Sequence, residues 1–500
     1  MPRRDGGGPD QGRGEDHPGT RGPDRAQRPP RAPLEGHSAP LRLGEELSLD
    51  VEAMGDGPDA LCRIGRYVVF VAGGLPGERL RVRVTSAARK HGRADLVAVE
   101  RPSPHRVLPA CTHFERCGGC DYQHLAYPEQ LRLKTERVAK ALRHATRIDA
   151  PPVAAMAGPD DPWEQRTKIV LHTKPATPTM VAGLFARRSR SLVPIRECPV
   201  SDQRGFRAAL ATVEAARRSG VPAWDPHTDS GVLRAVLVRA AKSSGRVQID
   251  LITRNGLPAP ERLLEQLVVQ GPHDVVVHSH GGPVEQLVGG PFQVLRGEAR
   301  LVETVEGIAH HVSPAAFFQT SAFGARWLVA TVLRLLPLAP GARVLDVYSG
   351  GGLLALALAR AGMHVTAIED NRRAVADAET SARANGIAGI RFVHARAEDA
   401  LREVPAQPGF TAVVLDPPRA GCHPAVLHAL GERLKPRHVV YVACDPEALA
   451  RDLAQLLRMG YSLERVEPVD MFPHSHHVEA VALLERRVLG RRLIAVGSGT

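Results

Sequence analysis

Two kinds of hydrophobic periodicity divide the chain. From Leu41 to about Arg106, short stretches such as YVVFVAG and ERLRVRVTSAA alternate apolar with polar positions, and Gly or Pro separates them. Alternation with a period of two predicts β-strands, and several short strands at this spacing predict a small OB-like β-barrel over residues 41–106.

A second pattern begins at about Ala299, where apolar strands alternate with Ala- and Leu-rich helices. The stretches that carry it include RVLDVYSG, LLALALARAG, HVTAIED, FTAVVLDPP and HVVYVACDP. Strand and helix in alternation predict a doubly wound, Rossmann-like α/β domain with a parallel sheet over residues 299–488, which binds its ligands at the carboxyl ends of the strands.

The remaining segments are predicted from weaker patterns. An amphipathic helix from about Pro128 to Ala145 and the strands VLRAVLVRAA and RVQIDLIT predict a central α+β domain over residues 107–298. Residues 1–40 are dominated by Gly, Pro, Arg and Asp, which predicts a disordered arm, either an inert solvated tail or a weak basic tether for RNA. A basic tail is expected at residues 489–500.

Charge narrows the class of partner. Lys and Arg total 65 against 54 Asp and Glu, a formal charge of +11 with a pI near 9.7, which favours a polyanion such as nucleic acid over an ordinary basic surface. Apolar runs fall short of the roughly 20 residues of a membrane span, and the N-terminus lacks the core of a signal peptide, so a cytoplasmic monomer is expected. Basic side chains cluster late in the predicted barrel, either facing phosphates or lining a solvated strand edge: Arg81, Arg83, Arg89, Lys90 and Arg93.

A nucleotide-type site is expected after the strand RVLDVY, where Ser349 and three glycines enter a helix. Gly350 and Gly352 fit a loose dinucleotide fingerprint, and Glu369 ends the next strand 19 positions after Gly350, where an acid would hold ribose hydroxyls. NAD and S-adenosylmethionine both fit this loop. The Asp416-Pro-Pro-Arg turn favours S-adenosylmethionine over NAD, because such a turn is typical of methyltransferases that act on nucleic-acid bases. A purely structural turn is the alternative.

Cys444 is the candidate nucleophile. It lies between the strand HVVYVA and the start of a helix, whose N-terminus is expected to lower the thiol pKa; a buried apolar cysteine is the alternative. Glu479 begins the last apolar strand, where apolar neighbours would raise its pKa and make it a usable base. His474, His476 and His477 precede it and are read as a polar loop in preference to a metal site.

A second group of cysteines has metal-ligand spacing. Cys111, Cys117 and Cys120 form CTHFERCGGC, and Cys198 is the remaining candidate for a fourth ligand. Four thiolates bind zinc or an iron–sulfur cluster, and the spacing favours a [4Fe–4S] cluster. The alternative is that these cysteines are structural and share no ligand.

Together these motifs resemble the S-adenosylmethionine-dependent RNA 5-methyluridine methyltransferases of 23S rRNA and tRNA. The likeness spans residues 43 to 485 and includes a TRAM-like barrel, CGGC followed by DYQH, SPAAFFQ, the glycine loop, DPPRAG, YVACDP and DMFPHSHHVE, all in the family order. It implies methylation of uridine C5 through a covalent Cys444 adduct, Glu479 as the base that abstracts the proton, and Phe317 as a contact to the target base. The same resemblance assigns Gln319, Tyr348, Glu369 and Asp416 to the methyl donor, and a [4Fe–4S] cluster to Cys111, Cys117, Cys120 and Cys198.

The chain departs from the family pattern at four positions. Ser321, Ser349, Leu353 and Asp445 stand where Asn, Cys, Asn and Asn are usual, and each could weaken donor binding or thiolate formation. The predicted substrate is 23S rRNA, with tRNA as the alternative, because bacterial tRNA enzymes resemble a shorter form without barrel or cluster. An NAD-dependent oxidoreductase and a non-catalytic RNA-binding scaffold are the competing classes.

Overall fold

The computed structural model describes residues 41–177, 179–254, 256–270, 275–280, 287, 291–314 and 316–487. The predicted arm at residues 1–40 and the predicted tail at residues 489–500 lie outside these described residues.

An N-terminal closed barrel confirms the first prediction. Its strands follow the order β1-β2-β3-β5-β4 around the barrel. Along β4 the apolar side chains of Leu80, Val82 and Val84 are buried, while the arginines between them face solvent, which is the two-residue alternation read from the sequence. The five strands are β1 (Glu46–Met54), β2 (Ala60–Ile64), β3 (Tyr67–Val71), β4 (Arg79–Ala87) and β5 (His91–Arg101).

A seven-stranded mixed sheet forms the middle of the molecule, in the order β12-β11-β10-β9-β6-β7-β8. Helices α2 (Gln203–Arg218) and α3 (Pro260–Gln270) pack together, and residues of both join one apolar cluster with the sheet. Its strands are β6 (Lys168–Pro175), β7 (Met180–Phe185), β8 (Leu192–Pro194), β9 (Leu233–Ala240), β10 (Val247–Thr253), β11 (Val275–His280) and β12 (Phe292–Arg296). A two-stranded ribbon, β13 (Leu301–Val305) and β14 (Ile308–Val312), follows.

The C-terminal sheet also has seven strands, in the order β17-β16-β15-β18-β19-β21-β20. These are β15 (Arg343–Val347), β16 (His364–Glu369), β17 (Ile390–His394), β18 (Ala412–Leu415), β19 (His438–Ala443), β20 (Tyr461–Val469) and β21 (Glu479–Arg486). The helices of this region are α4 (Ala322–Leu335), α5 (Leu353–Arg360), α6 (Arg372–Ala384), α7 (Ala397–Glu403), α8 (Pro424–His428), a π-helical turn (Ala429–Leu434) and α9 (Pro446–Arg458).

The expectation of a fully parallel sheet was wrong for one strand. β21 lies between β19 and β20 and is antiparallel to both. No helix connects β20 to β21; the chain returns through residues 470–478, so the last strand enters the sheet from its carboxyl edge.

Helix α1 (Tyr127–Thr146) lies within the segment that the sequence assigned to the central domain, but it packs against helix α9 of the C-terminal domain. Its buried Val138 and Leu142 belong to the same apolar cluster as β19, β21 and α9. Among the helices that the structure describes, none combines the length and the apolar character that a membrane span requires.

Candidate active site

The carboxyl edge of the C-terminal sheet collects the candidate catalytic side chains. Ala443 at the end of β19 pairs with Ala480 near the start of β21, so the adjacent residues Cys444 and Glu479 come opposite each other at this edge. Asp416 directly follows β18, the next strand along. Because β21 is antiparallel, its first residue lies where the parallel strands end, and a nucleophile and a carboxyl group therefore meet.

The pKa of Cys444 is shifted in the direction opposite to that expected from the helix N-terminus. Burial raises the thiol pKa to about 11 and the negative charge of Glu479 adds to the rise, while the Arg419 guanidinium opposes it. Desolvation of the thiolate is therefore the dominant effect on this pKa. Asp445 is the N-cap of α9 and accepts a hydrogen bond of 2.8 Å from the backbone N–H of Ala448.

Glu479 is buried, and burial raises its pKa well above the usual value, as the sequence predicted. The negative charge of Asp416 contributes to that rise and Arg419 counters it. Burial also raises the pKa of Asp416 to about 7, with Glu369 as the second cause. A carboxyl group with such a pKa can exchange a proton near neutral pH, which is the property of a general base or acid.

A cavity of about 860 Å³, counting the open space at its mouth, extends from β15 and β16 to the loop after β18. Tyr348, Glu369, Pro418 and Cys422 are among its lining residues. The glycine loop borders it, with φ of +53° at Gly350 and +80° at Gly352, values that a side chain rarely adopts. The Glu369 carboxylate accepts hydrogen bonds from the backbone N–H of Gly350 at 2.8 Å and from that of Asn371 at 2.9 Å.

Several residues of this region were not singled out from the sequence. Asp346 lies within β15 and is fully buried, and burial together with the charges of Asp416 and Glu369 raises its pKa well above the usual value. The segment Arg396–Glu398 at the start of α7 lines the same cavity. An acid inside an apolar strand, and an acidic helix start directly after one, were the available sequence signals.

The loop after Asp416 is held from behind by Asp452. This buried carboxylate accepts hydrogen bonds from the backbone N–H of Cys422 at 2.8 Å and from the Tyr441 hydroxyl at 2.6 Å. Arg451 adds a hydrogen bond to the carbonyl oxygen of Ala420. One wall of the cavity is therefore fixed by α9 and β19.

Gln319 and Phe317 lie apart from this cavity. Gln319 lines a separate, smaller cavity with Thr167, Arg239 and Phe318, between the central sheet and α4. The Phe317 side chain is 66% exposed, which is unusual for a phenylalanine. Ser321 caps α4 through a hydrogen bond from the backbone N–H of Gly324, so this departure from the family pattern has a structural role.

The four candidate ligand cysteines line one small cavity, with about 20 Å³ of free space, between the CGGC segment and the loop at Cys198. Burial raises the pKa of Cys111, Cys117 and Cys198, and the charges of neighbouring cysteines add to each rise. The Arg166 guanidinium lies 3.9 Å from the sulfur of Cys120, and the backbone N–H of Gly119 points to Cys117 at 3.4 Å. Across the described residues, no group of three or more His, Cys, Asp or Glu is arranged to hold a metal ion.

Residues 470–478, which we call the histidine loop, connect β20 to β21. His474 is buried, stacks on Trp163 with ring centroids 4.0 Å apart, and has a φ of +64°. The Nδ1 atom of His476 lies 2.7 Å from the Asp121 carboxylate. These contacts are those of a structural polar loop.

Two sequence families match the chain. The family described as tRNA (Uracil-5-)-methyltransferase matches residues 307–487, and the TRAM domain matches residues 40–97. An uncharacterized RNA methyltransferase from Halalkalibacterium halodurans is 32% identical over 89% of this chain and 98% of its own length. Another from Gloeobacter violaceus is 34% identical over the same shares.

A solved structure is also similar along most of the chain. It is the Pyrococcus abyssi tRNA (uracil-54, C5)-methyltransferase in complex with S-adenosyl-L-homocysteine. The TM-score is 0.70 at 28% identity, and the likeness covers 87% of this chain and 99% of the archaeal chain.

Proposed function

The chain belongs to the RNA uracil-5 methyltransferase family, and from this membership we propose that it methylates carbon 5 of a uridine through a covalent Cys444 adduct. The observation that carries the proposal is the pairing of Ala443 with Ala480, which sets the Cys444 thiol opposite the buried Glu479 carboxyl. A nucleophile facing a base whose pKa is raised is the pair that this reaction needs.

The reaction requires activation of a poor nucleophile. The Cys444 thiolate adds to uracil carbon 6, and the electron pair of the C5–C6 double bond moves toward the C4 carbonyl to form an enolate. Carbon 5 then takes the methyl group and becomes saturated, carrying a methyl and a hydrogen. The Glu479 carboxylate removes that hydrogen as a proton, the double bond re-forms, and the Cys444 thiolate leaves.

Arg419 supports the first step. Its positive charge lowers the pKa of both Cys444 and Glu479 against the effect of burial. A cation beside the thiol favours the thiolate that must attack. The exposed Phe317 is proposed to contact the target base, as the family resemblance implies.

S-adenosylmethionine is the proposed methyl donor. Glu369 is proposed to bind the ribose hydroxyls of the donor, because it is an acid at the end of β16 and lines the cavity. Gly350 and Gly352 let a ligand approach the backbone. Tyr348 lines the same cavity. Asp416 and Gln319 are assigned to the donor because the family resemblance implies it, and Gln319 lines the separate cavity beside α4. The donor supplies an electrophilic methyl group when bound.

We also propose that Cys111, Cys117, Cys120 and Cys198 bind a [4Fe–4S] cluster. A single zinc ion would draw four sulfurs to within about 4 Å of one another, because Zn–S bonds measure about 2.3 Å. The four thiols line one cavity, and it is their spacing in the sequence that favours a cluster over a zinc ion. Methyl transfer contains no redox step, so the cluster would serve as a structural cross-link between the CGGC segment and the loop at Cys198.

The proposed substrate is 23S rRNA. The barrel and the cysteine segment favour it, whereas the likeness to the Pyrococcus abyssi enzyme favours tRNA and makes tRNA the second candidate. An RNA substrate of either kind agrees with the cytoplasmic location expected from the sequence.

One experiment tests reaction and substrate together. Anaerobically purified protein is incubated with methyl-labelled S-adenosylmethionine and, separately, unmodified 23S rRNA or bulk tRNA, and labelled nucleosides are identified by mass spectrometry. Labelled 5-methyluridine in rRNA alone supports the full proposal, and label in tRNA alone replaces the substrate. Absence of label from both, with iron bound, would favour an RNA-binding scaffold. Cys444→Ala is the control and gives no label.

The cluster proposal has its own test. Iron and acid-labile sulfide are measured in anaerobically purified protein and in the Cys120→Ala variant. About four irons per chain are expected in the parent, with a loss in the variant, while Cys62→Ala, a cysteine buried in the barrel, keeps them. One zinc and no sulfide would overturn the proposal.

A further inference from the structure

The histidine loop forms hydrogen bonds with residues that lie more than 300 positions earlier in the chain. Three side chains of α1, spaced at helical intervals on one face, form hydrogen bonds with it; Lys134 and Arg137 donate, and Gln130 accepts. Lys134 donates to the Asp470 carboxylate at 2.7 Å and to the carbonyl oxygen of Phe472 at 3.1 Å. Arg137 donates to the carbonyl oxygen of His476 at 3.0 Å.

Gln130, the third of these side chains, is fully buried. Its amide oxygen accepts a hydrogen bond of 3.0 Å from the backbone N–H of His474, and its amide nitrogen lies 3.2 Å from the ring Nδ1 of the same residue. That nitrogen also donates to the carbonyl oxygens of Tyr122 and Leu125. Gln130 therefore joins the histidine loop to the segment that follows the CGGC cysteines.

Asp121 makes the remaining contacts and directly follows Cys120. Its backbone N–H donates to the carbonyl oxygen of His474 at 2.7 Å. Its carboxylate accepts hydrogen bonds from the backbone N–H of His476 at 3.1 Å and lies 2.7 Å from the Nδ1 atom of the same residue. In the part of the chain that the structure describes, every hydrogen bond of Asp121 goes to His474 or His476.

The histidine loop leads directly into Glu479, which is the first residue of β21 and lies three residues after His476. We infer that Asp121 is a positioning residue for proton abstraction, because it fixes the loop that sets the Glu479 carboxyl relative to carbon 5. This inference rests on the proposed function. Displacement of a reacting group by about 1 Å can slow a step about 100-fold, so a loosened loop impairs the step that uses Glu479.

The inference separates two steps of one reaction. Addition of Cys444 and methyl transfer depend on β19, α9 and the donor cavity, whereas only the last step uses Glu479. If the loop loosens, a methylated protein–RNA adduct still forms but is resolved slowly. A general loss of structure would instead lower adduct formation and resolution together.

The test uses full-length, anaerobically purified protein and RNA that carries tritium at uridine C5. Tritium release into water measures proton abstraction, and denaturing gels with methyl-labelled donor measure the adduct. For Asp121→Ala we expect adduct formation close to the parent rate, tritium release slowed about 10- to 100-fold, and accumulation of methylated adduct. Asp121→Asn, which keeps an acceptor oxygen, should recover most of the release rate.

Two further variants distinguish the loss of this contact from a general folding defect. His476→Ala removes the same contact from the other side and does not adjoin a cysteine; it should slow release similarly, and the double variant should be no slower than either single variant. Glu197→Ala is the matched control, since Glu197 precedes Cys198 as Asp121 follows Cys120, but it bonds to Thr112 and not to the histidine loop. It should release tritium at the parent rate with unchanged iron content.

Two results would overturn the inference while leaving the proposed function intact. One is parent-rate tritium release by Asp121→Ala and His476→Ala. The other is a parallel loss of adduct formation and release. If the parent protein itself forms no adduct and releases no tritium, the proposed function fails instead.

Discussion

Three ionisable side chains at one edge of the C-terminal sheet, Cys444, Asp416 and Glu479, have raised pKa values. Burial is the largest cause at each of them, and neighbouring carboxylates add to it. Each side chain is therefore held closer to its neutral form than it would be in water. The three groups together therefore carry less negative charge at neutral pH than they would in water.

The first prediction concerns pH. Because the Cys444 pKa is raised to about 11, the reactive thiolate is a minor species at neutral pH and its fraction grows as pH increases. We expect kcat/KM for RNA to rise by about tenfold per pH unit between pH 7 and 9 without reaching a plateau. RNA binding by Cys444→Ala across the same range corrects for titration of the RNA interface. A plateau with an apparent pKa below 8 would contradict the expectation.

The second prediction concerns Asp416. Its pKa is about 7 in the folded protein against 3.8 ordinarily, so between these values the folded state holds a proton that the unfolded state has lost, and stability falls as pH rises through this window. Asp416→Asn cannot ionise. We expect it to increase the free energy of unfolding at pH 8 by about 4 kcal/mol, since each pKa unit is worth about 1.4 kcal/mol, and to differ little at pH 4. Urea unfolding at both pH values measures this.

Donor binding provides the companion measurement for Asp416→Asn. Calorimetric titration with S-adenosylmethionine should show weaker binding, since a carboxylate proposed to hold the donor is gone. A variant that is more stable but binds the donor as well as the parent would remove Asp416 from the donor site.

At the residue scale, the positions of the candidate side chains could be predicted from the sequence more fully than the shifts of their pKa values. The sequence placed Cys444 and Glu479 at strand ends, and the structure brings them to one edge of the sheet; their catalytic roles stay predictions. The rise in the Glu479 pKa was predicted from its apolar neighbours. The direction of the Cys444 shift was wrong because a helix start is visible in the sequence, while the depth of burial and the facing Glu479 are set by the packing of β21.

Among the secondary-structure elements, local pattern decided where strands and helices lie, and long-range packing decided how they meet. The alternation along β4 and the periodicity of α1 were both visible in the sequence. The antiparallel direction of β21 was not, because strand periodicity carries no direction. The packing of α1 against α9 was not visible either, since the apolar face of α1 would suit either domain.

The third prediction concerns α9, which begins directly after the candidate nucleophile. Asp445 caps this helix, so Asp445→Ala should lower the free energy of unfolding by about 1 kcal/mol. Asp445→Asn, the matched control, restores the residue usual in the family and should stay within a few tenths of a kcal/mol of the parent. Thermal unfolding measures both. An equal loss in the two variants would mean that charge, not the capping oxygen, stabilises the helix.

At the scale of the whole molecule, the chain has a formal charge of +11, and the basic side chains of the barrel differ in whether a carboxylate pairs with them. Arg83 pairs with Glu46 and Arg93 with Asp59. Within the described part of the chain, Arg81, Arg89 and Lys90 form no ion pair and are exposed. The sequence predicted the basic cluster, but carboxylates on the neighbouring strand β1 and just before β2 neutralise part of it.

The fourth prediction follows from this distribution. RNA affinity should fall linearly with the logarithm of salt concentration, and Arg81→Ala should reduce the slope by about 0.7 to 0.9 if its charge meets one phosphate. Arg83→Ala, on the same strand but paired with Glu46, should reduce it less. Fluorescence anisotropy over a salt series measures both slopes, and equal reductions would argue against a barrel surface that contacts RNA.

The bond between Lys134 and Asp470 spans 336 positions of the chain. A ribosome that adds about 5–20 residues per second exposes α1 for roughly 20 to 70 s before the histidine loop is made. During that interval the apolar face of α1 and a lysine destined for burial have no native partner. Until α9 and the histidine loop are made, α1 exposes an apolar face of the kind that promotes aggregation, and a truncated chain that stops before α9 would keep that face exposed.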